Sequence, residues 1–323
     1  MMTYRIYRLR FHSAVHFGSD SGSEHVSSAA SVFHSDTLFS ALCLEALRLG
    51  GESMLEQLVT SSREGKLVLS DLFPYSGNTY FLPKPKKLYA RKQQPDPSVQ
   101  VDRKLVKKLT HISADRFEEY MAYQRGDCET FDMAAVVEKL HGITAQERRM
   151  SAALRGVDAE PYYVGDIRFA SGCGLYVIVG SEQPEQMDNL FASLEMTGIG
   201  GRKTQGFGKF TCEAVELNEQ AEHGLDGLYR RLTAQSGNVW MTLNTSLPQE
   251  SELNCLEDAA YLLNRRGGML NGSAIQHKQT VYALEAGSCV SERYAGQVMD
   301  VRIEQGAGHP IYRNLTPMFM EVE

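Results

Sequence analysis

Thr197-Gly198-Ile199-Gly200-Gly201-Arg202-Lys203-Thr204-Gln205-Gly206-Phe207-Gly208-Lys209-Phe210 joins a helix-like run to a strand-like one. Five glycines fall within eleven residues, with Arg202, Lys203 and Lys209 among them. Glycine serves where φ must be positive or where backbone must approach another group closely. Successive N–H groups in such a loop make a concave anion site, and flanking cations strengthen it. Gly198, Ile199, Gly200, Gly201, Arg202, Lys203, Thr204, Gly206 and Gly208 are therefore candidate phosphate contacts. The stretch is not a P-loop, because Phe207-Gly208 stands where Lys-Ser/Thr is required. Nor is it a dinucleotide fingerprint, since Lys203 occupies the place of the third glycine. Spacing alone leaves a plain glycine-rich turn equally open.

Outward from this loop, Pro184 to Glu195 reads as a short amphipathic helix and Phe207 to Leu217 as a strand. Tyr4 to Phe17 alternates as a long first strand ending at Gly18, and Ser19 to Ser31 is a Ser/Gly-rich loop. Apolar residues at 38, 39, 42, 46 and 49 predict a helix capped by Ser35 or Asp36 and ended by Gly50-Gly51. A second short helix is expected over Ser53 to Thr60 and a strand over Lys66 to Leu72. Tyr80 to Tyr89 is extended, because Pro83 and Pro85 remove donors. Met133 to Leu140 reads as helix, and Tyr162 to Val179 as a strand pair or one bent strand. Without residues 74–161 the order is β, α, β, β, α, β, the split βαβ or ferredoxin-like unit. The expectation is an α+β chain with two ferredoxin-like (RRM-like) domains, 1–217 and 218–323, and a basic insertion at about 74–161 in the first. In the second half Val239 to Leu247, Lys278 to Leu284, Met299 to Glu304 and Thr316 to Val322 read as strands, and Leu253 to Leu263 as either helix or strand.

The chain has 323 residues, 42% hydrophobic and 23% charged, which suits a globular fold with a sizeable core. No run approaches a membrane span, and the alternating N-terminus reads as a strand, not a signal peptide. Six scattered cysteines without a C-x-x-C pair suggest reduced, packing thiols in the cytoplasm and no zinc site; no cofactor or metal is called for. The net charge is −7, yet Lys84 to Arg125 holds eleven cations against five anions. That asymmetry fits a localised polyanion site on an acidic body. Lys84, Lys86, Lys87, Arg91 and Lys92 lead the basic segment; Lys104, Lys107 and Lys108 share a helix face that is either solvated or in contact with RNA. Tyr75, Tyr80, Phe81 and Tyr89 are either base-stacking or core residues.

His16, His34 and Lys203 are the candidate acids and bases for metal-independent RNA cleavage. His34-Ser35-Asp36 is not a catalytic relay, because contiguous residues at a helix start point in different directions. Beside the helix start, His34 is either a locally bonded residue or an RNA contact.

His34-Ser35-Asp36-Thr37-Leu38-Phe39-Ser40-Ala41-Leu42, Phe73-Pro74-Tyr75, Tyr80-Phe81-Leu82-Pro83-Lys84-Pro85, the Gly198–Lys209 loop and Glu285-Ala286-Gly287-Ser288 together carry a resemblance. In this order they look like the RAMP superfamily, and within it the fourth subunit of the type III-A (Csm) CRISPR effector complex. The likeness runs along most of the chain and is weak from about Val99 to Ala159 and from Asn218 to Leu253. It implies a non-catalytic RNA-binding subunit for antiviral defence that holds the repeat-derived 5′ tag of the crRNA. Implied partners are the large cyclase/nuclease subunit, a neighbouring backbone RAMP subunit and, indirectly, target RNA. It also implies a β-hairpin thumb in the first domain, which the Lys84–Lys92 segment would supply. Gly198 to Gly208, His16, His34, Ser35 and Asp36 would line the RNA site. The class-different rivals are a RAMP-type crRNA-processing endoribonuclease and a protein-only scaffold.

Overall fold

The computed structural model describes residues 2–18, 32–87, 103–155, 158–268, 277–303 and 309–323. In chain order the first two-thirds comprises β1 (Thr3–Phe11), α1 (Ser35–Arg63), β2 (Leu67–Leu69), β3 (Phe73–Ser76) and β4 (Thr79–Pro83). There follow α2 (Arg103–Lys108), β5 (His111–Ser113), α3 (Phe117–Arg125), α4 (Met133–His141), β6 (Thr144–Arg155) and β7 (Asp158–Phe169). β8 (Cys173–Ser181), α5 (Pro184–Thr197) and β9 (Phe210–Leu217) complete it.

The main antiparallel sheet runs β5-β4-β3-β8-β1-β9, with β2 also on β8. β2 and β3 share one edge of β8: Leu67 to Leu69 pair with its end and Phe73 to Ser76 with its start. The segment expected as an insertion, residues 74–161, thus extends this sheet through β4 and β5. Alternation along β1 sends Tyr7 and Leu9 to one face and Ile6 to the other. The first face packs on α1 and α5, with the Tyr7 and Phe191 rings stacked 4.0 Å apart. The second meets Phe117 and Tyr120 of α3 and side chains from the last third of the chain. Over β8 both faces are covered, so every residue of this strand is buried, which explains its apolar run Leu175 to Val179. Tyr75, Tyr80 and Phe81 are core residues, each under 5% exposed, and are not available for base stacking.

α1 departs from its expected limits for a tertiary reason. Ser35 and Asp36 lie inside the helix, and His34 is the N-cap with extended backbone. The orphan amide of Ser35 is satisfied by the remote Asp71 carboxylate at 2.8 Å. The two predicted helices meet at Gly51, whose φ of 66° kinks a continuous element. Leu38, Phe39, Leu42 and Ala46 face the core as predicted, but Leu49, just before the kink, is 51% exposed. β1 stops at Phe11, one further ladder bond follows at His12, and by Val15 the chain has left the sheet to pair with Ile167.

The last third holds α6 (Leu225–Thr233), β10 (Trp240–Thr242), β11 (Leu263–Arg266), β12 (Val281–Leu284), β13 (Cys289–Val290), β14 (Gln297–Asp300), β15 (Tyr312–Leu315) and β16 (Phe319–Glu321). Its described strands form a β13-β10-β16 sheet and two ribbons, β11-β12 and β14-β15, in place of the single four-stranded sheet expected. α6 falls in a stretch that carried no expected element; Leu225, Leu228 and Leu232 give it a buried stripe. Those leucines join Met241, Met318 and Met320 in one apolar cluster with Ile6 and Tyr176, so a core crosses the Asn218 division.

Candidate nucleic-acid interface

The glycine loop is built by close backbone packing. α5 ends at Thr197, and the chain doubles back so that the Ile199 amide donates to the Gly208 carbonyl at 3.1 Å. A side chain at Gly208, where φ is 73°, would overlap the carbonyl oxygen of Ile199. The loop then docks on residues 12–18: Gly201 N–H donates to His16 O at 2.8 Å and Gly208 N–H to Ala14 O at 2.9 Å. Gly200 approaches the same carbonyl so closely that a Cβ would lie 2.9 Å from it. Most loop amides are thus bonded within the protein, which corrects the picture of an open nest of N–H groups. Arg202, in left-handed conformation, and the short 3₁₀ turn Lys203–Gln205 form the tip. What the loop offers a ligand is its cations. Among the described residues no carboxylate pairs with Arg202, Lys203 or Lys209.

A second element meets this tip. β6 and β7 pair in register from Thr144–Phe169 to Arg155–Asp158, a ribbon of twelve residues on each side. Its base is tied to residues 12–18 by reciprocal bonds between Val15 and Ile167, each 2.9 Å. His16, 8% exposed, donates Nδ1–H to the Gly165 carbonyl at 2.7 Å, so its ring joins hairpin to loop. The Arg202 guanidinium lies 5.2 Å from the centre of the Tyr162 ring and donates to its hydroxyl at 3.2 Å. Hydrogen bonds from Ser151 and Arg202 hold that phenol below its ordinary range. Arg149 pairs with the buried Asp166 at 2.5 Å and Arg168 with Glu147 at 3.3 Å. Arg148, Met150 and Tyr163 share the opposite face, and Tyr163 is 59% exposed.

Thr144–Arg155 carries no strand signal, because its Ala, Gln, Glu and Arg favour helix over strand. Gly156 between the two strands was the one turn signal. Among the described residues the long ribbon of the first two-thirds is 144–169, and of the Lys84–Lys92 segment only residues 84–87 are described. Lys84 donates to the Val106 carbonyl at 2.9 Å, and burial lowers its pKa. Lys86 pairs with Glu285 at 2.5 Å while its amide bonds to Gly287; Lys87 lies 3.9 Å from Glu323. Lys86 and Lys87 thus bind the chain's own last third, and Lys84 binds the C-terminal half of α2. Arg91, Lys92 and Tyr89 lie outside the described residues. Lys104, Lys107 and Lys108 are exposed on α2.

His34, Ser35 and Asp36 belong to a largely buried ionic cluster built with Asp71, Arg266 and Arg313. The His34 Nδ1–H donates to Asp71 at 2.9 Å, and its Nε2 accepts from Asn264 at 3.2 Å. Asp71 also accepts from the Ser35 and Thr245 amides. Asp36 is gripped by Arg266 at 2.8 and 3.1 Å, with Arg313 at 3.6 Å. Burial pushes the Asp36 carboxyl up, but Arg266 and then Arg313 overcome it and hold it at about 2. The basic Arg265-Arg266-Gly267-Gly268 stretch at the end of β11 thus meets protein through Arg266. Asp36 and Ser35, at 4% and 2% exposure, are closed to RNA. Among the described residues no three His, Cys, Asp or Glu side chains gather as a metal site, and no helix is long and apolar enough to cross a membrane.

A protein-family model for the CRISPR Csm4 C-terminal domain matches residues 235–322. "CRISPR system Cms protein Csm4" of Mycobacterium tuberculosis (strain CDC 1551 / Oshkosh) is 33% identical over 99% of this chain and 98% of its own length. The protein of that name from Streptococcus thermophilus is 30% identical over the whole of both chains. Among solved structures, a chain of the Csm3-Csm4 subcomplex of the type III-A CRISPR-Cas interference complex shares the fold, with TM-score 0.64, 18% identity and 98% coverage of both chains. A chain of the Csm1-Csm4 cassette in complex with cA4 matches with TM-score 0.56, 18% identity and 99% and 98% coverage. With relatives this similar along its whole length, and with the ordered motifs that first suggested them, the chain belongs to the Csm4 family.

Proposed function

We propose that the protein is a non-catalytic RNA-holding subunit of a type III-A CRISPR effector complex in the cytoplasm. It grips the repeat-derived 5′ tag of the crRNA and bridges the large cyclase/nuclease subunit to a backbone RAMP subunit, meeting target RNA only indirectly. The observation that carries this is the junction of glycine loop, residues 12–18 and long hairpin. Arg202 is held there over Tyr162 by a hairpin tied through His16, and Lys203 stands at the tip without a carboxylate among the described residues. Fixed cations suit phosphates, and an exposed aromatic such as Tyr163 suits a splayed base. The strand order β9-β1-β8-β2, with α1 and α5 on one face, supports a ferredoxin-like first domain up to about 217. In this proposal the hairpin Thr144–Phe169 acts as the thumb. Solved relatives in which Csm4 accompanies Csm3 or Csm1 support the two protein partners.

A non-catalytic role is favoured by the commitment of both histidine candidates. His16 is buried against Gly165, and both ring nitrogens of His34 are bonded within the ionic cluster. Labelled RNA carrying the repeat tag, with a scrambled-tag control, tests the proposal on native and denaturing gels in EDTA. Retention without new fragments is expected. R202A/K203A should lower the slope of log affinity against log salt by about 1.4, at roughly 0.7 per phosphate contact for single strands. Unchanged affinity and slope would sink the loop assignment. Cleavage at a defined position, lost on changing His34 or Lys203, would make the protein a processing nuclease.

A further inference from the structure

The second face of the main sheet is covered only in part. Ile6 and Tyr176 lie under the last third of the chain and are fully buried. One pleat further along β1 the cover ends at Arg8, whose guanidinium lies 4.6 Å from the Tyr75 ring and bonds to the Gly77 carbonyl. Beyond it the sheet is open. The register pairs Arg8 with Glu213 and Arg10 with Thr211, and the His12 amide continues the ladder to Lys209 O at 2.9 Å. Alternation sets all six side chains on this one face. The 3.0 Å contact between His12 Nε2 and Thr211 Oγ1 agrees. All except Arg8 are exposed.

The charge on this strip is one-sided. Glu213 is taken by Arg8 at 3.5 Å, and among the described residues no carboxylate pairs with Arg10 or Lys209. Lys209 is also the last residue of the glycine loop, so the strip continues the cations at the loop tip. Solvated charges flanking an edge strand often serve only to discourage strand pairing. Here, however, the cations stand on the face of the sheet, and they gather on a chain of net charge −7. Arg8, Arg10 and His12 recur about 6.8 Å apart, at every second residue of a strand, a repeat suited to successive phosphates of an extended strand.

We infer that a single-stranded RNA backbone leaving the glycine loop runs across this open face, with Arg10 and Lys209 on its phosphates and His12 and Thr211 as hydrogen-bonding partners. The path deepens the RNA-holding role and rests on it. A 20-nucleotide single-stranded RNA, bound to the full chain over a KCl series, tests it. R10Q/K209Q should lower the salt slope by about 1.4, so that the wild-type advantage shrinks about 25-fold for each tenfold rise in salt. E213Q, which removes the strip's carboxylate and frees Arg8, should tighten binding. An unchanged melting temperature for each variant excludes misfolding as the cause. If R10Q/K209Q and E213Q bind like wild type while R202A/K203A weakens, the strip is overturned and the loop assignment stands. If the strip variants move and R202A/K203A does not, the loop assignment falls and the strip stands. Failure of the wild-type chain to retain the RNA overturns both.

Discussion

Arg266→Ala is the perturbation whose consequence is best fixed by the structure. Arg266, on β11, closes a bidentate pair with Asp36 in the first turn of α1, and Asp36 is almost fully buried. The fall of the Asp36 pKa from 3.8 to about 2 corresponds to roughly 2 kcal/mol of preference for the charged, folded state, at about 1.4 kcal/mol per pH unit. Removing Arg266 loses that preference and strands a buried carboxylate, for which breaking a buried pair costs about 3–5 kcal/mol. Arg313 remains 3.6 Å away, so about 3 kcal/mol is expected. The sign with pH follows from the depressed pKa. The Asp36 contribution is present above the unfolded value near 3.8 and is lost as pH falls through the folded value near 2. In the variant the stranded carboxyl is pushed upward, so the gap between wild type and R266A is widest at pH 7 and narrows toward pH 4. Urea denaturation at both pH values, with D36N/R266M as the volume-conserving control, reads this directly. A cost below about 0.5 kcal/mol at pH 7, as for an exposed pair, or a gap that does not narrow on acidification, would refute the reasoning.

Gly208→Ala should lower stability by well over the roughly 1–2 kcal/mol of a left-handed backbone alone, because its Cβ also overlaps Ile199 O. Gly206→Ala, with open space around its Cβ, should show only the backbone cost; equal thermal shifts for the two would disprove the packing account. Lys86→Ala should cost about 1 kcal/mol or less through its pair with Glu285 and leave RNA affinity and salt slope unchanged. A fall in slope would return that lysine to the RNA site.

Much of the fold was legible in order along the chain. The apolar spacing of 38, 39, 42 and 46 gave the buried face of α1, and Pro184 opened α5 at the first helical position. The glycine loop was recognisable as a place of close backbone approach. Which of its amides are spent within the protein was not legible, because whether a glycine meets a neighbouring carbonyl depends on residues 12–18, nearly two hundred positions away. The hairpin β6–β7 stayed hidden for a related reason. Its residues prefer helix, and only pairing with β7 and anchorage on Val15 and His16 override that preference.

Charge shows the same division between sequence and structure. Composition alone established a basic middle segment on an acidic chain, and ordered motifs along most of the chain pointed to the family. Which cations remain free was decided by folding. Lys86 found Glu285, Arg266 found Asp36 and Arg149 found Asp166, while Arg202, Lys203, Arg10 and Lys209 were left without carboxylates among the described residues. Local sequence determines propensity and periodicity, which act over a few residues. Charge pairing acts through space over a few ångströms, and only the tertiary structure decides which residues those ångströms separate.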